Sequence, residues 1–241
     1  MSEDQRPPAA EALTLLARGQ VELSGRLPWS SNGTFLAELC LDGATMRAVY
    51  KPLRGERPLW DFPDGLYRRE VAAYALSAAL GWDLVPETIS RDDGPYGPGS
   101  YQRFVDADFT QHYFTLIEDT RHHVALRAVA LFDLVANNAD RKSGHCLLAD
   151  DGHIWGIDHG LCFAVPPKLR TVMWDFAGET IDPALLADLA RLATAPPPAA
   201  LVELLHDQEV EATLARAAAM VRGARFPDPD PDRRPYPWPM V

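Results

Sequence analysis

Three side chains stand out by type and spacing: Lys51 at the end of the apolar run Arg47-Ala48-Val49-Tyr50, and the carboxylates Asp140 and Asp158, eighteen residues apart. An ammonium at the edge of an apolar strand needs an anionic partner, because an unpaired charge taken out of water is costly. Glu70, on the segment that follows, is the natural partner, and a plain structural ion pair is the simplest reading of the two. Lysine is scarce, however: only Lys51, Lys142 and Lys168 occur beside twenty arginines, so a lysine that is kept points to a site that needs it. Asp140 lies in the polar run Asn137-Asn138-Ala139-Asp140-Arg141-Lys142, and Asp158 in Gly156-Ile157-Asp158-His159-Gly160. Five polar side chains within six residues could merely cap a helix. Two carboxylates brought together can also hold Mg²⁺ while one orients a hydroxyl for phosphoryl transfer. The small polar loop Ser30-Ser31-Asn32-Gly33-Thr34 could bring backbone N–H groups up to phosphate oxygens, or be an ordinary hairpin loop. His145, Cys146, His153, His159 and Cys162 match no common closed zinc spacing, which argues against structural zinc.

The elements that must position these groups follow from periodicity. Residues 8–18 read as a short amphipathic helix, and 21–27, 34–41 and 45–50 as an antiparallel meander with Asp42-Gly43 as its tight turn. A loop rich in Pro, Gly and charge leads to a helix over 66–80, stopped by Gly81. Strands are expected at 84–90 and 100–105, a mostly buried helix at 122–136, and a hairpin from 146–149 and 154–157. Helices at 183–193 and 200–222 follow, and the Pro-rich tail from Phe226 should dock as extended chain or stay mobile. The order predicts an α+β chain of two lobes with a cleft between them: 1–105, rich in strand; 106–225, mostly helical; and a tail, 226–241.

Composition narrows the partners. With 241 residues and 47% hydrophobic content the chain can fill a real core. A net charge of −11 argues against nucleic acid and against anionic lipid. No apolar run reaches the length of a membrane span, the N-terminus lacks a signal-peptide layout, and the three cysteines suit reduced thiols, so a cytoplasmic protein without stable membrane anchoring is expected.

Taken in order, these fragments resemble the kinase-like superfamily of phosphatidylinositol 3-/4-kinases, in particular the type II phosphatidylinositol 4-kinases, and HipA-type serine kinases, over roughly 21–163. The chain is similar to actinobacterial proteins classed with them. The matching pieces are Lys51-Pro52, Arg69-Glu70-Val71 through Leu80-Gly81, Val85-Pro86, Gly99 to Val105, Asn138-Ala139-Asp140-Arg141, and Ile157-Asp158-His159-Gly160-Leu161-Cys162-Phe163. The resemblance implies a two-lobed protein-kinase-like fold, with an antiparallel-sheet N-lobe carrying one helix and a mostly helical C-lobe with a small catalytic hairpin. It also implies roles: Lys51 on the α/β-phosphates, Glu70 orienting it, Asp140 as the base or positioner of the acceptor hydroxyl, and Asp158 on the metal. Ser31, Asn32 and Gly33 would cover the phosphates, and Tyr101, Gln102 and Phe104 would line the adenine pocket. ATP and Mg²⁺ are the implied cofactors, and a protein Ser/Thr or a small molecule the acceptor.

One position departs from the pattern. The expected metal-ligand Asn, five residues after Asp140, is His145, whose imidazole nitrogen suits Mn²⁺ or Zn²⁺ better than Mg²⁺. Three outcomes follow: a kinase with altered metal chemistry at Asp158 and His145, a nucleotidyl transferase, or a nucleotide-binding protein without turnover. A plain interaction protein, with Lys51–Glu70 and Asp140–Arg141 as structural pairs, explains each motif but not their order.

Overall fold

In the computed structural model of the protein, residues 7–27 and 32–241 are described. The chain forms two compact units that do not follow its linear order: 1–71 with 86–104, and 72–85 with 105–241.

The first unit is built on a five-stranded antiparallel sheet of β1 (Gln20–Arg26), β2 (Phe35–Leu41), β3 (Ala44–Pro52), β4 (Thr88–Arg91) and β5 (Gly99–Arg103), in the order β1-β2-β3-β5-β4. The first three strands are the expected meander. Asp42 and Gly43 close its second hairpin with φ of 52° and 86°, a left-handed pair that Asp tolerates and Gly favours. Alternation puts Ala37, Leu39, Ala48 and Tyr50 on one face, where they bury with Tyr101 and with Leu16 of helix α1 (Ala9–Arg18). Lys51, one residue past Tyr50, is thereby turned to the opposite face. Arg91 ties α1 to β4 by donating from Nη1 to the carbonyls of Leu16 and Gly19, at 3.2 and 2.8 Å.

Helix α2 runs Leu66–Leu80, as its spacing predicts, and its first residues, through Val71, belong to this unit. The strand expected over 84–90 is shorter. The amides of Leu84 and Val85 are taken by Ser77 Oγ, at 2.9 and 3.3 Å, so only 88–91 pair in the sheet.

The second unit packs around helix α4 (His123–Ala136), whose Leu126, Val129, Leu131, Phe132 and Val135 are buried. Around it lie the short α3 (Tyr113–Leu116), the hairpin of β6 (Cys146–Leu148) and β7 (Ile154–Gly156), and the helices α5 (Pro183–Thr194), α6 (Ala199–Leu204) and α7 (Asp207–Gly223). The single helix expected over 200–222 is two. Glu209 Oε2 accepts the His206 amide at 3.0 Å and starts α7 afresh after Leu205. The thiols of Cys146 and Cys162 are buried, and burial pushes Cys146 up to about 12. The Pro-rich tail is docked: Pro235 O accepts from Thr171 N at 2.9 Å and from Trp174 Nε1 at 3.1 Å. Among the described residues no helix is long and apolar enough to cross a membrane.

A close backbone crossing holds the far end of the loop between β1 and β2. Gly33 N donates to Gly55 O at 2.9 Å, and a Cβ on Gly55 would meet Gly33 O at 2.6 Å and Gly33 Cα at 2.9 Å. Gly55→Ala must therefore push two backbones apart. We expect it to cost ~1–3 kcal/mol and to lower the melting temperature by several degrees. An unchanged melting curve would show that the crossing carries no weight.

Candidate functional site

In the second unit the site is organised by a guanidinium rather than by the carboxylates that flag it. Arg141 has no exposure to water, so each of its five N–H groups must find an acceptor inside the protein. Nε and Nη2 donate to the two oxygens of Asp133 at 2.7 and 2.9 Å, a bidentate pair in which neither side chain is exposed. Nη1 donates to His145 O at 3.1 Å and Ile157 O at 2.8 Å, and Nη2 meets His159 Nε2 at 2.8 Å. Burial alone would lower the Arg141 pKa, but the Asp133 charge outweighs it, and the guanidinium is held above its usual range.

This side chain fixes both carboxylates. It grips Ile157 and His159, the residues on either side of Asp158, and thus holds Asp158 at φ 59°, a left-handed conformation rare outside glycine. It also follows Asp140 directly in the chain. Asn138 completes the brace, since its Nδ2 donates to Asp133 Oδ1 at 2.9 Å and its Oδ1 accepts the Asp140 amide at 2.9 Å. Asn137 ends α4 at φ 53° and fastens the segment beyond Phe163: its Nδ2 donates to the carbonyls of Ala164 and Pro166, and its Oδ1 accepts from Lys168 N. The two asparagines thus build the loop around Asp140.

Asp140 and Asp158 are close enough to repel. The Asp140 carboxyl is pushed up to about 6, first by burial and further by the Asp158 charge, against the opposing pull of Lys142, whose Nζ lies 3.3 Å from Oδ2. Asp158 is half exposed, and His145 Nε2 lies 3.3 Å from its Oδ2. His145 Nδ1 sits 3.4 Å from the Lys142 amide, so the tautomer that serves both contacts carries its proton on Nε2 and donates to Asp158. In that form His145 orients the carboxylate and presents no lone pair on Nε2. Among the described residues no group of three His, Cys, Asp or Glu could hold a metal. Two hard carboxylates, one of them raised by the other's charge, nevertheless suit a divalent cation of the Mg²⁺ type, which takes one or two carboxylates and completes its shell with water and phosphate oxygens.

The first unit holds the remaining sequence candidates. Lys51 Nζ donates to Glu70 Oε1, with Glu70 almost fully buried, so the pair expected from sequence forms. Asn32 Oδ1 accepts from Arg57 N at 3.1 Å beside the Gly33–Gly55 crossing, whereas Ser31 lies outside the described residues. Tyr101 is fully buried and stacked on Tyr50 at 4.4 Å, Gln102 Nε2 donates to Thr88 Oγ1 at 2.9 Å, and the Phe104 ring lies under the Arg47 guanidinium at 4.6 Å. Those side chains are engaged in packing. Of the other histidines singled out, His153 reaches Asp83 O at 2.8 Å, and His159 is buried edge-on against Phe132. Asp133, inside the apolar helix α4, is a functional neighbour that the sequence motifs do not flag. A carboxylate in a largely buried apolar helix is itself a signal of a buried cation.

Two stability measurements test this arrangement. Arg141→Met leaves Asp133 buried without its counter-ion, and we expect a loss of about 3–5 kcal/mol in denaturant unfolding; a loss below ~1 kcal/mol would show that the brace is dispensable. Asp140→Asn should act in the opposite sense. A carboxylate whose folded pKa is raised contributes stability that is full below the unfolded value near 4 and lost as pH rises through about 6. In chelator the Asn variant should therefore be more stable than the parent at pH 7.5, by roughly 1–3 kcal/mol, and no more stable at pH 4. Equal stability at pH 7.5 would contradict the strained carboxylate.

No protein-family model matches the chain. The hydra Fam20 structure determined with sugar superposes with a TM-score of 0.57 over 90% of this chain and 88% of that one, at 11% identity, and so shares the fold. The Helicobacter pylori proinflammatory kinase CtkA gives a TM-score of 0.47 at 13% identity over 84% of this chain and 97% of that one, a likeness too loose to carry weight. In sequence, protein Rv2133c of Mycobacterium tuberculosis is 41% identical, with 93% of this chain and 94% of that protein covered. The chain thus shares the fold of the hydra Fam20 structure and belongs to the family of Rv2133c.

Proposed function

We propose that the chain is an ATP-dependent phosphotransferase that moves the γ-phosphoryl group of ATP to a hydroxyl. The observation that carries this reading is the pair Asp140–Asp158, one carboxyl pushed up to about 6 beside the other's charge, both fixed by Arg141. Asp140 accepts the proton of the acceptor hydroxyl as its oxygen bonds to the γ-phosphorus and the bond from that phosphorus to the bridging β–γ oxygen breaks, leaving ADP. A base with a pKa near 6 is largely ionised at neutral pH yet basic enough to take a proton. Asp158, oriented by His145, holds a divalent cation that offsets the charge of the phosphates. Lys51, set by Glu70, binds the α/β-phosphates. Asn32 and Gly33 cover the phosphates, and the end of β5 toward Phe104 takes the adenine. The acceptor is a small molecule in preference to a lipid. The hydra Fam20 structure was determined with sugar, which agrees with a small hydroxylated acceptor on this fold.

The test is turnover of ATP by the purified chain with Mg²⁺ or Mn²⁺. We expect ADP release that falls tenfold per pH unit below about 6 as Asp140 is protonated. Asp140→Ala should lose at least ~100-fold in turnover while an ATP analogue still raises its melting temperature. A chain stabilised by ATP but inactive with every divalent metal would be a nucleotide-binding protein without turnover. No stabilisation by ATP at all would overturn the proposal.

A further inference from the structure

The docked tail ends on the loop that carries Asp140. Arg233 Nη1 donates to Pro167 O at 2.7 Å, Pro235 O accepts from Thr171 and Trp174, and Met240 O accepts the Ser143 amide at 2.8 Å. Ser143 is three residues past Asp140, within about 11 Å along even a fully extended chain. It begins the 3-10 turn Ser143–His145, against which α3 also packs. The tail and α3 therefore both stand on this turn.

They line a cavity of about 760 Å³ whose walls are Phe114 of α3 and Arg234, Tyr236, Pro237, Trp238 and Met240 of the tail. That volume is in the range of small-molecule sites. Trp238 is 82% exposed and Tyr236 42%, although the backbone carrying them is hydrogen-bonded on both sides. Rings held in place but left open to water contribute nothing to the core, and they offer flat faces to a ligand. Arg234 is the one charged residue in the lining and, among the described residues, makes no ion pair; Arg233 beside it is paired with Asp230. In a chain of net charge −11 an unneutralised guanidinium among aromatic rings selects an anion that also has an apolar face.

We propose that this groove is the acceptor subsite and that its occupant is an anionic glycoside. A sugar ring stacks its C–H face on Trp238 or Tyr236, its acid group pairs with Arg234, and a ring hydroxyl is carried toward Asp140. The inference rests on the phosphotransferase reading, and the two can fail separately.

The test is calorimetric binding of 4-nitrophenyl β-D-glucuronide and of neutral 4-nitrophenyl β-D-glucoside to the full chain in the presence of a non-hydrolysable ATP analogue. The glucuronide should bind about tenfold tighter than the glucoside, Arg234→Ala should abolish that preference, and Trp238→Ala should weaken both by about tenfold. Both residues are exposed, so neither variant should unfold the chain. If the analogue stabilises the parent chain but the glucuronide does not bind, or binds both variants unchanged, the subsite is wrong and the phosphotransferase stands. If the analogue gives no stabilisation, the phosphotransferase reading falls and the subsite with it. Phosphorylation of a Ser/Thr peptide with the same KM in the parent chain and both variants would also overturn the subsite.

Discussion

A guanidinium without water must be solvated by the protein, and in this molecule that requirement shapes the candidate site. Arg141 spends two N–H groups on Asp133, two on the carbonyls of His145 and Ile157, and one on His159. Each acceptor comes from a different part of the second unit: the last turns of α4, the turn after Lys142, the end of β7 and the loop beyond it. None of these segments can shift without leaving a buried donor unmatched. The desolvation cost of the pair is large, so it adds little to stability over an apolar core of the same volume. What it supplies is position, because two of its acceptors, Ile157 and His159, flank Asp158 and a third is the carbonyl of His145.

Position is what the carboxylates need. Two like charges close together, one of them half-buried, would move apart if their backbones were free. Asp158 is instead held in a left-handed conformation between two gripped neighbours, and Asp140 is held through the Asn138 side chain on its amide. The strain is local and set against a rigid frame, as expected where a site is pre-organised for a charge that arrives with a ligand. Lys142 and His145 moderate the repulsion from one side each.

Much of the frame was legible in the sequence because it rests on local signals. Alternation gave the meander, Asp42-Gly43 gave its turn, and Gly81 gave the end of α2. Lysine scarcity pointed to Lys51, and the pair with Glu70 is present. What was not legible depends on tertiary partners. Ser77 takes the amides that would have lengthened β4, and a new cap at His206 and Glu209 divides the helix expected over 200–222. Asp133 carried no motif signal of its role, because its partner lies eight residues on, across the end of that helix. His145 stands at the metal-ligand place of the motif, and its ring nitrogens lie 3.3 Å from Asp158 Oδ2 and 3.4 Å from the Lys142 amide. The tail carried no periodicity at all, and its docking rests on single carbonyls such as those of Pro235 and Met240.

On the phosphotransferase reading proposed above, Arg141 holds Asp140 and Asp158 ready for a nucleotide phosphate and its cation. A crystal structure of the chain grown with a non-hydrolysable ATP analogue and Mg²⁺ tests it most directly. The expected structure has the cation on Asp158, the γ-phosphate facing Asp140, Lys51 on the α/β-phosphates, and the five Arg141 contacts unchanged. A nucleotide bound away from these residues, or a cation held elsewhere with Arg141 rearranged, would contradict it.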